Sequence, residues 1–162
     1  MRKPTPALIC TVIATTAILT ATSTAAPIAS ADPATDTSCT PALAGVMSKK
    51  PTSDVAMLCK DSMWYPQPAD APPSDRWVTF GPTLTLRGDA LPNPNVQMGT
   101  WTARPLGPWT RCRSVQQTGV GAGAISPPQV DQSPPNSPME FDMVFHVITA
   151  RLSGYCLWER QP

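Results

Sequence analysis

Proline stands at 21 of the 162 positions, about two and a half times its ordinary share of ~5%. Each proline fixes φ and removes a backbone donor, so neither helix interiors nor central strands absorb many of them. Charged side chains make up only 14% of the chain, against an ordinary quarter or so. Together these features exclude a coiled coil, a helical bundle and a polybasic nucleic-acid binder, all of which need far more Lys, Arg and Glu. Hydrophobic residues at 41% and five tryptophans exclude wholesale disorder. One small domain built from short elements remains.

The first 31 residues read as an export signal. Arg2 and Lys3 supply a positive start, residues 7–22 are apolar, and Ala29-Ser30-Ala31 offers the small-x-small pattern that a signal peptidase accepts. Thr11, Thr15, Thr16, Thr20 and Thr22 dilute the apolar run, which is also short of the ~20 residues a membrane span needs. Cleavage after Ala31 is therefore expected, leaving no stable membrane anchor. Neither Cys10, which follows Ile9, nor Cys39, in a polar context, suits lipidation. The mature chain carries 10 basic and 11 acidic side chains. It has no charge-based claim on nucleic acid or anionic lipid.

The cysteines beyond the signal are Cys39, Cys59, Cys112 and Cys156. An even count in an exported chain reads as two disulfides, for which three connectivities exist. Thr40-Pro41 resembles a helix start, followed by Leu43, Val46 and Met47 at helical spacing. A second start at Ser53-Asp54 leads to Val55, Leu58 and Cys59. Two short antiparallel helices would set Cys39 beside Cys59, and Cys112 and Cys156 would pair by elimination. With no CxxC and one histidine, no metal site is expected.

The remainder reads as β. Residues 32–65 form the helical segment, 66–75 a stiff proline-rich connector, and 76–162 an antiparallel β domain. Strand-like runs cover 77–80, 83–87, 95–103, 109–117, 140–149 and 155–160. Their spacing predicts a small antiparallel sandwich or barrel. Residues 119–138, rich in Gly then Pro, read as a mobile loop. Their glycines lack the following helix that a phosphate cradle needs.

Chemistry is sparse. His146 is the only imidazole, so any His-dependent acid–base mechanism must use it. In a strand over 140–149 it shares a face with Asp142, but four residues place them about 13 Å apart. A small hydrolase would need Asp142, Glu140 or a residue from another strand to converge on His146. The GxSxG elbow is absent, and no cofactor is implied. The aromatics are more informative. Trp64, Tyr65, Trp77 and Trp101 could form a platform for a glycan or apolar ligand, or could fill the core. Trp158 shares parity with Cys156, which suits packing beside a bridge.

Gly99-Thr100-Trp101-Thr102 leading to Trp109-Thr110-Arg111-Cys112, and Gly154-Tyr155-Cys156-Leu157-Trp158, resemble a small actinobacterial, mycobacterial-type exported β module. That module carries a G-T-[YW] strand, then a cysteine, then a closing element of G-x-C-x-W type. The resemblance implies a Cys112–Cys156 bridge, a compact β fold and an exported location, and it brings no activity. The expected function is non-catalytic, binding or structural, in the cell envelope or outside the cell. The expected partner is an envelope glycan, a lipid or a protein. An inhibitor or effector presenting the loop 119–138 is a further possibility.

Overall fold

The computed structural model describes residues 37–50 and 52–162. The expected export signal, with its cleavage after Ala31, lies outside the described residues. A three-residue 3-10 turn, Pro41–Leu43, opens the described chain. Nine strands follow: β1 Met47–Lys49, β2 Ala56–Lys60, β3 Met63–Pro66, β4 Arg76–Arg87, β5 Gly99–Pro105, β6 Arg113–Thr118, β7 Gln129–Gln132, β8 Met139–Met143 and β9 Val147–Arg160. The protein is mainly β, as expected.

The two longest strands organise the rest. β4 and β9 pair antiparallel from Arg76 opposite Glu159 to Arg87 opposite Thr149, with an irregularity between Gly81 and Leu84. The Gly81-Pro82 pair that separated two strands in the sequence reading therefore bends one continuous strand. On its other edge, β9 pairs first with β6, over Val147 to Ser153, and then with β5, over Cys156 to Arg160. Gly154 lies at the changeover, in the left-handed region at φ +99°. A Cβ there would sit 2.2 Å from the Arg111 carbonyl oxygen, so only glycine fits. β7 extends the β6 branch and β8 extends the β5 branch.

The helical hairpin expected over residues 40–59 is replaced by the 3-10 turn and a β ribbon. Gly45, at φ +76°, ends the turn, and helices this short are unstable in isolation. The chain instead gains ladder bonds, with Met47 opposite Leu58 and Lys49 opposite Ala56. An antiparallel ribbon returns the chain to the same place that a helical hairpin would. The Cys39–Cys59 pair therefore survives the correction, at Cα–Cα 6.0 Å. Cys112 and Cys156 form the second pair at 5.9 Å. These two disulfides indicate an oxidising compartment.

Other expectations change as well. The sheet is mixed, because β1 runs parallel to β4 at Met47 opposite Trp77. It does not close into a barrel. The described part of the expected helical segment 32–65 is not a separate helical unit, since β1 to β3 join the common sheet. The strand expected over 140–149 breaks at 144–146, and the loop 119–138 contains β7.

Alternation along β4 and β9 serves two cores. Trp77, Leu84, Leu86, Leu152, Cys156 and Trp158 belong to one, with Trp101 and Phe141 from the branches. Val78 belongs to the other, with Cys39, Leu43, Cys59 and Trp64, and Phe80 and Leu157 pack against it. Strands covered on both faces explain why β4 reads as buried at three consecutive positions. The prolines fall where pairing stops. Pro66 ends the outer strand β3, Pro127, Pro128, Pro134 and Pro135 flank β7, and Pro138 precedes β8. Lacking an N–H, they deny neighbouring chains a ladder partner.

Two predictions follow from this frame. Gly154→Ala combines a forbidden φ with backbone overlap, and is expected to lower unfolding free energy by roughly 2–5 kcal/mol in urea titrations. Glu159 accepts hydrogen bonds from Arg76, at 3.0 Å, and from Arg104. Burial opposes its ionisation, but the two arginines outweigh burial and hold its carboxyl below the ordinary value. The stability it contributes is therefore complete above the unfolded value near pH ~4.3 and is lost as pH falls through the lower folded value. Glu159→Gln is expected to flatten the stability–pH curve in that acid window, as read by urea midpoints at successive pH values.

Candidate functional site

A cavity of about 300 Å³ opens beside β1, where the ribbon meets β4. It lies at the lower end of the ~300–1,000 Å³ that small-ligand sites occupy. Met47, Val55, Ala56, Pro68, Pro72 and Trp77 give it apolar walls. Lys49, Arg87, Asn95 and Thr85 give it polar ones, and Asp54 stands at its side.

Local chain geometry builds these walls. Gln67 N–H donates to the Ala56 carbonyl at 2.8 Å and starts the connector along the ribbon. Ser74 N–H then donates to the Asn95 carbonyl at 3.0 Å. Arg87 holds the middle, with one Nη2 donating to the Ala69 carbonyl at 3.4 Å. Asn95 Oδ1 accepts from Arg87 N–H at 3.1 Å. The proline-rich stretch read as a connector between two units is thus a side wall of the cavity. Its restricted φ values suit that use, because a preformed wall loses little entropy when a ligand arrives.

Lys49 dominates the electrostatics. Its side chain is only 8% exposed, yet its ammonium has two long contacts, 3.5 Å to Asp54 Oδ1 and 3.4 Å to the Thr85 carbonyl. Burial lowers its pKa, Asp54 works against that shift, and the charge of Arg87 adds to it. Asp54 itself is fully exposed, so water screens the one anion available. A partly buried ammonium with only two long contacts has a donor to spare for a further acceptor.

The aromatic platform expected from Trp64, Tyr65, Trp77 and Trp101 does not form. Trp64, Trp77 and Trp101 are buried, and only Tyr65, at 41%, is exposed. Indole N–H groups are satisfied inside, with Trp77 donating to the Ser74 carbonyl at 3.2 Å and Trp101 to Gln97 at 3.1 Å. Large flat side chains are the cheapest filling for a small two-sided sheet, which is why they go inside. Trp158 packs edge-on against Phe141 near the Cys112–Cys156 pair, as its parity implied. Trp77 nonetheless lines the cavity.

Trp109 is the exposed ring instead, at 85%. It sits at φ +63° in a turn, where the sequence reading placed the start of a strand. Pro105, Gly107 and Pro108 just before it are turn signals that outweigh the β preference of tryptophan.

His146 lies in the turn between β8 and β9 at φ +60° and is exposed. Among the described residues its ring has no ion pair or side-chain hydrogen bond, and the nearby Asp89 is engaged with the backbone, its Oδ2 accepting from His146 N–H at 3.4 Å. Asp142 accepts from Thr100 Oγ1 at 2.9 Å, Glu140 is opposite Thr102 in the β5–β8 ladder, and Asp89 Oδ1 accepts from Val147 N–H at 2.9 Å. Buried Gln116 holds this turn, donating to the Asp142 carbonyl at 2.8 Å and accepting from Val144 N–H at 3.1 Å. Nothing in the local sequence marks Gln116 for that task.

No family model, curated protein or solved structure matches the chain. Among the described residues, no helix is long and apolar enough to cross a membrane.

Burial of four of the five tryptophans sets an optical expectation. Acrylamide should quench a single tryptophan's share of the emission, and Trp109→Phe should leave the remainder unquenched in the native state. A quenchable fraction that survives this substitution would contradict the arrangement.

Proposed function

We propose that this chain is a non-catalytic binding protein, secreted to the cell envelope or the extracellular space, whose ligand enters the cavity beside Lys49. The carrying observation is the cavity itself, with apolar walls on one side and two cationic side chains on the other. Sites of this kind hold a ligand's body by burial and set its orientation with a few polar groups. The two disulfides support an extracellular working place, since they withstand local unfolding in an oxidising medium. A common core shared by both branches of the sheet supports reading the architecture as an open sandwich. The resemblance to an actinobacterial exported module, with its Gly99 and Gly154 segments, belongs to the same reading.

A hydrolase using His146 has an open cavity of about 460 Å³ beside the ring, lined otherwise by glycine and aliphatic residues, but among the described residues no side chain is hydrogen-bonded or ion-paired to the imidazole to act with it. An aromatic platform built on Trp64, Tyr65, Trp77 and Trp101 is withdrawn, because three of those rings are buried.

The test is thermal unfolding of the oxidised protein against envelope glycans, lipids and small amphiphiles. A ligand at about 100 times its Kd should stabilise the fold by about 2.7 kcal/mol. Ala71→Trp fills the cavity from its wall and should abolish that gain while the protein remains folded. A ligand that stabilises Ala71→Trp equally well would move recognition away from this site.

A further inference from the structure

We infer that the group recognised in this cavity is a single carboxylate carried on a small apolar body. The inference rests on the cavity being the binding site. It adds the chemical class of the ligand.

Three observations carry it. First, the cavity holds two cations, Lys49 and Arg87, and one anion, Asp54. The balance is one positive charge, which a monocarboxylate neutralises. A phosphate monoester, at about −1.5 to −2 near neutral pH, would overcompensate it. Second, both cations retain unused donors. An ammonium has three, and Lys49 directs only two long contacts; a guanidinium has five. Arg87 directs one guanidinium bond to a backbone carbonyl and has no acidic partner among the described residues. Third, Asp54 is itself a carboxylate beside the Lys49 ammonium, at 3.5 Å and fully exposed on its other side. It shows that a carboxylate can stand beside this ammonium, and because it lies in open water it leaves the inner donors of Lys49 and Arg87 to a ligand.

The walls define the rest of the ligand. Met47, Val55, Ala56, Pro68 and Pro72 have no hydrogen-bonding side chain, and the Trp77 indole N–H is already spent on the Ser74 carbonyl. They suit a hydrocarbon or ring of modest size, since about 300 Å³ leaves no room for a long chain. Burial also lowers the Lys49 pKa, so an arriving anion relieves a charge the empty site holds at a cost.

The experiment compares hexanoate, hexanol and hexyl phosphate by amide NMR titration of the oxidised protein, following Lys49, Ala56 and Arg87. Hexanoate should bind at least ten-fold more tightly than hexanol, with the largest shifts at those three residues. Lys49→Met keeps the aliphatic stem and should reduce hexanoate to the level of hexanol. Asp54→Asn raises the balance of the site to two positive charges and should tighten hexyl phosphate several-fold more than hexanoate, an effect that mere loss of structure cannot mimic. Lys49→Gln serves in place of Lys49→Met if that variant does not fold. Equal affinities for hexanoate and hexanol would overturn the carboxylate while leaving the cavity as the site. Tighter binding of hexyl phosphate would overturn it in favour of a phosphate. No saturable shift with any of the three, or shifts confined to other residues, would overturn the inference together with the proposed function.

Discussion

Strand β9 is hydrogen-bonded along both edges, to β4 on one side and to β6 and then β5 on the other. The changeover between the last two partners requires the backbone to turn at Gly154, tight against the Arg111 carbonyl. Cys156 lies two residues on and is bridged to Cys112, just before β6. Glycine thus permits the close approach, and the bridge holds it. From this one contact the sheet divides into two branches that share a core. The rest of the fold, including the bend in β4, follows from keeping that core covered.

Coverage of the opposite face falls to the N-terminal segment. The Cys39–Cys59 pair, Leu43 and Trp64 pack over Val78 and form the second core. The ladder pairing of its β1 with β4 is confined to Met47 opposite Trp77, with Ser48 Oγ donating to the Val78 carbonyl beside it at 2.8 Å. Beyond that contact β1 and β4 part, and the proline-rich stretch runs along the gap. The cavity is the consequence of that parting. Its chemistry comes from Lys49 at the end of β1 and Arg87 at the end of β4, two strand ends where a charge can stand without interrupting a core. Partial burial of Lys49 opposes its charge and lowers its pKa, with Asp54 working against that shift.

Much of the scaffold was legible beforehand. Alternation in residues 83–87 and 155–160 marks strands because one face of each is buried, and an even cysteine count beyond the expected signal marks the bridges. Trp158 beside Cys156 follows from period two alone. The failures have physical causes. Residues 40–59 carry apolar spacing compatible with a helix, but partners from β4 decide the matter, and short runs have too little local preference to resist. His146 was placed in a strand because its neighbours alternate; Gln116, from a distant strand, breaks that strand by binding Asp142 and Val144. The aromatic set was misjudged because ring chemistry is the same for a core residue and a ligand platform. Only Trp109 had a local signal, in the prolines and glycine before it.

The sequence by itself determined a small, proline-punctuated, mainly β chain with two paired bridges, since these depend on local periodicity, turn chemistry and cysteine count. It also determined that tryptophan would be prominent. Only the tertiary structure decided which tryptophans face solvent, that the N-terminal segment joins the sheet, and that Lys49, Arg87 and the prolines of 66–75 surround one cavity. Those residues are separated along the chain by tens of positions and share no pattern within any one segment. Their meeting depends on strand pairing and packing, interactions between distant residues to which local preference is blind.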